Sequence, residues 1–406
     1  MTMEILFAAG HLPAAQGRQA GARVSYYLSE YLARKHRVHM LAFASTDEMT
    51  HFNEQDMSQY ASWKIETVTS KSRILGVLQA PQLPLAISAR QSKSYHNEFN
   101  KVLASQRIDV VIFDHTAMFQ YVKDLPYPCV SAGLALDVLT QSWERRVTTT
   151  NNPFKRQILN IETGRMRTWE KAIFSRLDLV LVLSEKDKTL VKTMQPQANV
   201  MVIDPWITTF NDNVGIAREP GALIFWGAMN RKENIDAAHR AADSILPRIR
   251  ESVPYAKLYL AGSHSEALAS EYAGRSDIVV TGFVQDVASL MARMEVALLP
   301  LSRGAGIKIK TLECMEAGLP VVTTSVGEEG VGGTRGVHYL VTESDESLAA
   351  DAISLLRDSK TARTIGDAAR KFMSGRYKFY EHLAEVERCL EDHVEKSYEQ
   401  ERTPVV

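Results

Sequence analysis

The sequence has 406 residues, 45% hydrophobic and 23% charged, with a formal net charge of −1. This charge balance argues against nucleic-acid binding through bulk electrostatics, and no apolar run reaches the roughly 18–20 residues of a membrane-spanning helix. The three cysteines, Cys129, Cys314 and Cys389, are far apart and odd in number, which argues against a disulfide framework or a zinc motif and favours a reducing cytoplasm. At roughly 150 residues per domain, we expect two or three domains. The first residues read as a strand, with no charged segment that would begin a signal peptide.

The first half of the chain reads as alternating buried strands and helices. Met3 to Ala9 is a strand, and the loop from Gly10 to Gly21 after it lacks the GxGxxG fingerprint of dehydrogenases. Apolar periodicity then predicts a helix at 22–35, strands near 36–43, 63–68, 108–113 and 128–134, and a helix at 88–104. His115 follows the strand 108–113 directly. It is a candidate site residue because open α/β sheets bind ligands at strand carboxyl ends, and a helix cap formed by residues 114–116 is the alternative.

A basic and aromatic stretch runs from Trp143 to Lys171. It contains seven basic residues against three acidic ones, with three aromatic residues interleaved. Such a stretch could dock on the anionic inner face of a membrane. A solvated helix pair is the alternative, and the pattern does not decide between them.

The second half of the chain follows a polar linker, which we place at 206–220. Strands at 222–226, 257–262 and 278–281 alternate with helices at 235–250, near 265 and at 286–294. The alternation from 222 to 345 predicts a parallel, doubly wound sheet. After Glu346 the pattern is helical.

The stretch 296–324 carries the clearest functional pattern: strand, Gly-rich loop, helix, strand. The glycines of the loop at 304–306 allow backbone to approach a ligand closely. Lys308 and Lys310 lie in the first turn of the predicted helix, where each opposes the helix dipole by roughly 0.3–1 kcal/mol. A bound anion would reverse that sign. Glu313 lies five residues after Lys308, about 7–8 Å along a helix axis. The alternative is a solvated Lys308 beside an exposed Lys310–Glu313 pair.

The run GAGIKIKTLE at 304–313, followed by Ala317-Gly318 and PVVTT at 320–324, resembles the donor-site signature of retaining group 1 glycosyltransferases, in the subgroup with a Gly-rich donor loop. The stretches 178–185, 222–234 and 327–330 are similar to further motifs of the family. The resemblance implies an α/β fold of the GT-B type: two Rossmann-like doubly wound domains facing a central cleft, with a C-terminal helix that crosses back to the first domain. It implies an acceptor domain at 1–205, a linker at 206–220, a nucleotide-sugar donor domain at 221–375 and the crossing helix at 376–406.

The resemblance also implies site roles. Lys308, Glu313 and Arg231 are the catalytic candidates: the two cations would neutralise the leaving diphosphate, and Glu313 would accept hydrogen bonds from ribose hydroxyls. The donor-binding candidates are Gly227, Phe283, Val284, Gly304, Ala305, Gly306 and Ile307. A simple β-turn is the alternative for residues 283–284. The acceptor and cleft candidates are His11, Gly17, Arg23 and His115, with a solvated loop as the alternative for the first three.

The sequence departs from the family pattern at two places. Many relatives carry a histidine near the reacting sugar at the end of the strand 128–134, and the stretch 131–137 here has none. Ala305 stands where many relatives carry a first glutamate, so the direct contact to the sugar hydroxyls is unassigned.

We therefore expect a retaining glycosyltransferase that moves a sugar from a nucleoside-diphosphate sugar to a glycan or lipid-linked acceptor in bacterial cell-surface polysaccharide synthesis. The nucleotide sugar is a substrate, and we expect no cofactor and, given the charge balance, no nucleic-acid partner. We also expect no metal ion, because lysine can stabilise a leaving diphosphate without one. We expect a cytoplasmic location, with the inner membrane face as a peripheral partner if the stretch 143–171 docks there. A nucleotide-sugar 2-epimerase and a non-catalytic nucleotide-sugar-binding protein are the alternatives.

Overall fold

The computed structural model describes residues 1–15, 17, 20–126, 128–210 and 216–402. The chain forms two compact units, the first from Met1–Trp206 with Phe379–Val406 and the second from Ile207–Lys378. The middle of the predicted linker, at 211–215, and the last four residues of the predicted crossing helix lie outside the described residues.

Unit 1 is built on a sheet of seven parallel strands. These are β1 (Glu4–Ala9), β2 (Arg37–Ser45), β3 (Ser62–Val68), β4 (Val110–Asp114), β5 (Val130–Ala135), β6 (Leu179–Val182) and β7 (Val200–Val202). Their order is β3-β2-β1-β4-β5-β6-β7, so the direction of strand addition reverses between β1 and β4. Strands β4 and β5 are buried at every residue, as expected where helices cover both faces of a parallel sheet.

The helices of this part of the chain are α1 (Ala20–Ala33), α2 (Thr46–Thr50), α3 (Ser70–Gln79), α4 (Leu85–Ser88), α5 (Lys93–Ser105), α6 (Leu139–Thr148), α7 (Pro153–Phe174) and α8 (Glu185–Met194), with 3₁₀ segments at Glu54–Met57 and Thr116–Asp124. The helix predicted at 88–104 is present as α5 but begins only at Lys93, and Ser88 instead ends the separate helix α4. Ser92 caps α5 by accepting a hydrogen bond from the Tyr95 N–H, which starts a new helix there. Gly76 of α3 packs against the backbone of Ser88 and Gln91, which holds the break between α4 and α5 in place.

Unit 2 repeats this architecture with six parallel strands. They are β8 (Ala222–Trp226), β9 (Lys257–Ala261), β10 (Ile278–Gly282), β11 (Val296–Leu299), β12 (Val321–Thr323) and β13 (Leu340–Val341), in the order β10-β9-β8-β11-β12-β13. The predicted parallel, doubly wound sheet is confirmed. The direction of strand addition reverses between β8 and β11. In both units this reversal opens a crevice at the strand carboxyl ends, which is where doubly wound sheets bind ligands.

The helices of unit 2 are α9 (Lys232–His239), α10 (Leu246–Ser252), α11 (Val287–Arg293), α12 (Ile309–Glu316), α13 (Asp345–Arg357) and α14 (Ser359–Arg376), with a 3₁₀ segment at Ser265–Leu268. The helix predicted at 235–250 is continuous but contains a π segment, Arg240–Ile245, just before Pro247. Proline cannot donate an intrahelical hydrogen bond, and the wider turn accommodates it.

The last helix, α15 (Phe379–Arg402), belongs to unit 1. The side chains of its apolar face are at most 1% exposed: Leu383, Val386, Leu390 and Val394. Its Glu387 carboxylate accepts hydrogen bonds from the Tyr31 hydroxyl at 2.9 Å and the Lys35 ammonium at 3.0 Å. Apolar packing, the Tyr31 hydrogen bond and the Lys35–Glu387 ion pair, whose lysine is largely exposed, together fix this helix to α1 and the turn that follows it.

One group of residues beside α15 has metal-like spacing but is an ion-pair network. His36, Glu387 and Glu391 place one ligand atom each within 4.8 Å of the others. However, Nδ1 of His36 accepts the Met3 N–H at 3.2 Å, so Nε2 must carry the ring proton, and it faces Glu387 at 3.3 Å. A protonated nitrogen has no lone pair to offer a metal ion.

Among the described residues, no helix is both long enough and apolar enough to cross a bilayer.

Candidate active site

The Gly-rich loop of unit 2 follows β11 and leads into α12. Gly304 has φ = 135° and Gly306 has φ = 65°, backbone conformations that a side chain at Cβ disfavours. Gly330 has φ = 79° and packs against Ile307, where an added Cβ would lie 3.0 Å from the Ile307 Cα. The glycines therefore serve to fold the loop tightly over the start of α12.

Lys308 braces this loop. Its side chain is buried, and its Nζ donates to the Gly306 carbonyl at 2.7 Å and the Ala305 carbonyl at 3.3 Å, and pairs with the Glu329 carboxylate at 3.3 Å. It occupies the N-cap position of α12, and its N–H bonds to the Glu329 carbonyl. The structure thus places the Lys308 ammonium beneath the loop, where it can fix the loop and lend its charge from behind.

Lys310 is directed to the opposite side of the loop, toward the end of β8. Its Nζ donates to Oδ1 of Asn234, and it lies 3.3 Å from where a Cβ on Gly227 would be. Burial, together with the positive charges of Arg231 and Lys308, lowers the pKa of this amine from 10.5 to about 7, and the Glu233 carboxylate offsets part of that effect. A bound phosphate would place further negative charge beside this amine and so favour its charged form. The sequence placed Lys310 in the first helical turn, where a bound anion would favour it, but gave the diphosphate role to Lys308. The buried environment of Lys310 argues against the exposed Lys310–Glu313 pair.

Glu313 lies one turn further along α12 and is 4% exposed. One of its oxygens, Oε2, accepts a hydrogen bond from the indole Nε1 of Trp226 at 2.7 Å. Trp226 is the last residue of β8, so this bond ties α12 to the same strand end that carries Gly227. The carboxylate is therefore held in one orientation, which is the requirement for a group that grips two adjacent hydroxyls.

The remaining donor-site candidates follow the carboxyl ends of β8 and β10 in the same sheet. Arg231 is the N-cap residue of α9, is well exposed, and pairs with Glu233 at 2.8 Å. Phe283 and Val284 follow β10 at a turn where Gly282 has φ = 71°. Phe283 is 43% exposed, whereas Val284 packs against the core of unit 2. The turn thus presents an aromatic ring to solvent and anchors it through its neighbour.

The candidates of unit 1 lie at the corresponding reversal of its own sheet. His11 follows β1, and its Nε2 lies 3.0 Å from the Ser25 hydroxyl and 3.4 Å from the Asp114 carboxylate at the end of β4. The rings of His11 and His115 are 6.4 Å apart. His115 has φ = 79° and its Nδ1 accepts the Ala117 N–H at 3.3 Å, which confirms the predicted helix cap, while its role in a site stays a prediction.

Asp114 is the residue of this cluster that the sequence did not single out. It is fully buried, and burial raises its pKa, while the neighbouring His11 and Ser25 lower it. A buried carboxylate beside an imidazole can orient the ring and accept its proton. Its position at a strand end was visible in the sequence, but its contact with His11 was not.

Gly17 and Arg23 lie nearby on the loop and on α1. The Arg23 guanidinium donates to the Gly17 carbonyl at 3.2 Å and lies 5.8 Å above the Trp206 ring. The neighbouring loop residues Gln16, Arg18 and Gln19 lie outside the described residues.

Comparison with known proteins gives similarities for most of unit 2 and for the fold. The family model "Glycosyl transferases group 1" matches residues 220–358. An "Uncharacterized 44.6 kDa protein in cps region" of Klebsiella pneumoniae is 22% identical over 163 residues, which is 38% of this chain and 42% of that relative. Less than half of the relative's length is therefore matched.

Three solved structures are similar over nearly the whole chain. Sucrose-phosphate synthase of Thermosynechococcus elongatus has a TM-score of 0.68 at 16% identity and covers 97% of this chain and 99% of its own. WaaG, described as a glycosyltransferase involved in lipopolysaccharide biosynthesis, has a TM-score of 0.63 at 18% identity, with 94% and 98% covered. Anabaena HepE in complex with UDP and glucose has a TM-score of 0.61 at 14% identity, with 96% and 99% covered.

Proposed function

We propose that this protein is a retaining transferase that moves a sugar from a nucleoside-diphosphate sugar to a glycan or lipid-linked acceptor. Its residues 220–358 match the group 1 glycosyltransferases, and its fold is GT-B. We assign it to bacterial cell-surface polysaccharide synthesis and to the cytoplasm. The printed names of the Klebsiella relative and of WaaG support that setting, and the complexes of HepE with UDP support a nucleotide donor.

One observation carries the proposal: a partly buried amine, a Gly-rich loop at a helix start and an anchored carboxylate converge on the β8–β11 reversal. The diphosphate would lie on the backbone of residues 304–306 and against the Lys310 ammonium. Glu313, oriented by Trp226, would accept hydrogen bonds from the ribose hydroxyls. The exposed ring of Phe283 would pack against the nucleobase.

The chemistry follows from this arrangement. As the bond between the sugar C1 and the phosphate oxygen breaks, negative charge grows on the diphosphate, and Lys310 and the loop stabilise it. The acceptor hydroxyl forms the new bond to C1 on the same face, and its proton passes to the departing phosphate oxygen. Lys308 acts on this step by holding the loop, and Arg231 supplies a further positive charge at the rim.

The test is release of nucleoside diphosphate from a panel of UDP- and GDP-sugars, with and without acceptor extract. We expect Lys310→Ala to lower turnover about 10²–10³-fold, the typical cost of losing one preorganised stabilising group. The matched control is Lys371→Ala, an exposed lysine on α14 of the same unit. Inversion at C2 of the nucleotide sugar without an acceptor would instead identify an epimerase. Binding of a nucleotide sugar without turnover would identify a non-catalytic protein.

We further propose that unit 1 contacts the anionic inner membrane face through the first half of α7. Phe154, Ile158 and Ile161 are spaced along one helix face and are 76%, 44% and 57% exposed. Lys155 and Arg156 beside them are also exposed, whereas Glu162 and Glu170 of the same helix are buried. An apolar stripe flanked by cations suits a surface of anionic lipid.

Co-sedimentation with vesicles tests this contact. The protein should bind phosphatidylglycerol vesicles in a salt-sensitive manner and bind phosphatidylcholine vesicles weakly. Replacing Phe154, Ile158 and Ile161 by serine should abolish binding, while Val337→Ser, at an exposed apolar residue of unit 2, should leave it intact. Equal binding of both variants would rule out this docking surface.

A further inference from the structure

A cavity of about 300 Å³ lies in unit 1 and includes none of the site residues described above. Its wall comes from four separate segments: the end of α3 with the loop after it, the start of α5, the end of the 3₁₀ segment Thr116–Asp124, and the last turns of α7. This volume is at the lower end of the roughly 300–1,000 Å³ of small-molecule sites. It is therefore suited to a ligand portion of the size of one sugar ring.

The wall is unusually rich in primary amides. Gln79, Gln82, Gln91 and Gln120 all contribute to it, and each amide offers two N–H donors and a carbonyl acceptor. Gln120 is 7% exposed and its Nε2 donates to the carbonyls of Ala117 at 2.9 Å and Ile87 at 3.3 Å. Its Oε1 is buried and accepts no hydrogen bond from the described part of the chain.

Aromatic and charged groups complete the wall. Trp169 and Tyr121 border the cavity. The Tyr121 hydroxyl already donates to the Arg90 carbonyl at 3.2 Å, so Tyr121 would contact a ligand through its ring. His96 and Asp124 face each other at 3.3 Å between Nε2 and Oδ2. Aromatic rings pack well against the C–H face of a sugar, and mixed donors and acceptors match its hydroxyls.

The same wall disfavours other ligand classes. A lipid chain would bury the amides and the His96–Asp124 pair without hydrogen bonds, which is costly. A phosphate would meet the Asp124 carboxylate, and the cations of the wall, Lys123 and Arg176, are exposed. A hydroxyl-rich, uncharged ligand is the class that matches both the amides and the aromatic rings of the wall.

We propose that this cavity binds one sugar unit of a glycan and acts as a holding site for a carbohydrate chain. Sugar binding at this cavity does not depend on the proposed transferase activity, but its role in presenting an acceptor rests on that proposed function. A glycan held at a second point on the enzyme has a higher effective concentration at the acceptor site, and this gain grows only when the chain is long enough to span both sites.

The test uses the full-length protein and ligand-observed NMR with maltotriose, chitotriose and xylotriose, in the presence and absence of saturating UDP. We expect at least one of these sugars to bind whether or not UDP is present. The double variant Gln82→Ala/Gln91→Ala should weaken binding at least tenfold, and Gln55→Ala, at an exposed glutamine of unit 1, should not. Circular dichroism and thermal melting establish that the variants are folded.

The inference is overturned if none of the three sugars binds, if UDP displaces the bound sugar, or if the double variant binds as tightly as the control. A second readout separates it from the transferase proposal. An inactive protein that binds sugars here refutes only the transferase, and an active one that binds none refutes only the cavity. Where both hold, the double variant should raise KM for long acceptors and leave kcat and short acceptors unchanged.

Discussion

The low pKa of Lys310 makes a quantitative prediction about nucleotide-sugar binding. With a pKa of about 7, roughly nine-tenths of the free protein carries a neutral Lys310 amine at pH 8, and about one-tenth does at pH 6. A bound diphosphate favours the charged amine, so binding must draw a proton from solution. We therefore predict an uptake of about 0.9 proton per sugar nucleotide at pH 8 and about 0.1 at pH 6. The diphosphate of a sugar nucleotide does not titrate in this range and adds nothing.

Isothermal titration calorimetry in buffers of different ionisation enthalpy measures this uptake directly as a slope. The first sugar nucleotide found to bind in the panel is the ligand, and Lys310→Met is the perturbation. The variant should bind more weakly and show no uptake at pH 8, whereas Lys371→Met should behave as the parent protein. An uptake near zero at pH 8 in the parent, or an unchanged uptake in Lys310→Met, would refute the assignment of Lys310 to the diphosphate.

Four further predictions concern single elements of the structure. Lys310→Met should stabilise the ligand-free protein, because the folded state disfavours the charged amine. This gain in the free energy of unfolding is full below pH 7 and disappears as pH rises toward 10.5, and urea unfolding at pH 6 and 9 measures it. Gly304→Ala should strain the loop by about 1–3 kcal/mol and weaken nucleotide binding more than Gly274→Ala, where an added Cβ meets no neighbour, as calorimetry would show. Glu313→Gln should weaken nucleotide affinity but affect a free sugar little, and equal affinity for a nucleotide and its 2′,3′-dideoxy analogue in the parent would contradict its ribose contact. Glu170 accepts hydrogen bonds from the Leu139 and Thr140 N–H groups, and burial raises its pKa to about 7. The protein should therefore lose stability as pH rises from 4.5 to 7, because the folded state disfavours the ionised carboxylate. Glu170→Gln should remove up to about 3 kcal/mol of this pH dependence, as measured by urea unfolding.

Local patterns predicted much of the fold and the location of the donor site. Strands such as β4 and β11 are short apolar runs that can only be buried, and the alternation of strands with helices leaves a parallel sheet as the available arrangement. The loop at 304–306 was identifiable because glycine spacing before a helix start has a specific physical use.

The orientation of the two lysines could not be predicted in the same way. Both lysines were expected in the first turn of the helix, but α12 begins at Ile309, and Lys308 occupies the cap position instead. This difference directs Lys308 under the loop, to Glu329, and Lys310 toward Gly227. The decisive partners, Glu329 and Asn234, are 21 and 76 residues away along the chain, so only the fold brings them together.

The same limit applies in unit 1. His11 and Asp114 lie close together because β1 and β4 are neighbours in the sheet. Local sequence patterns do not predict which strands are neighbours. The amide-rich cavity is assembled from four distant segments, each of which reads as an ordinary surface helix or loop.

The most direct test of the central claim is a crystal structure with a bound sugar nucleotide. Our account predicts a phosphate oxygen about 3 Å from Nζ of Lys310, the diphosphate on the backbone of residues 304–306, and the ribose hydroxyls on Glu313. A diphosphate bound elsewhere in the protein, with Lys310 still paired only to Asn234, would contradict it.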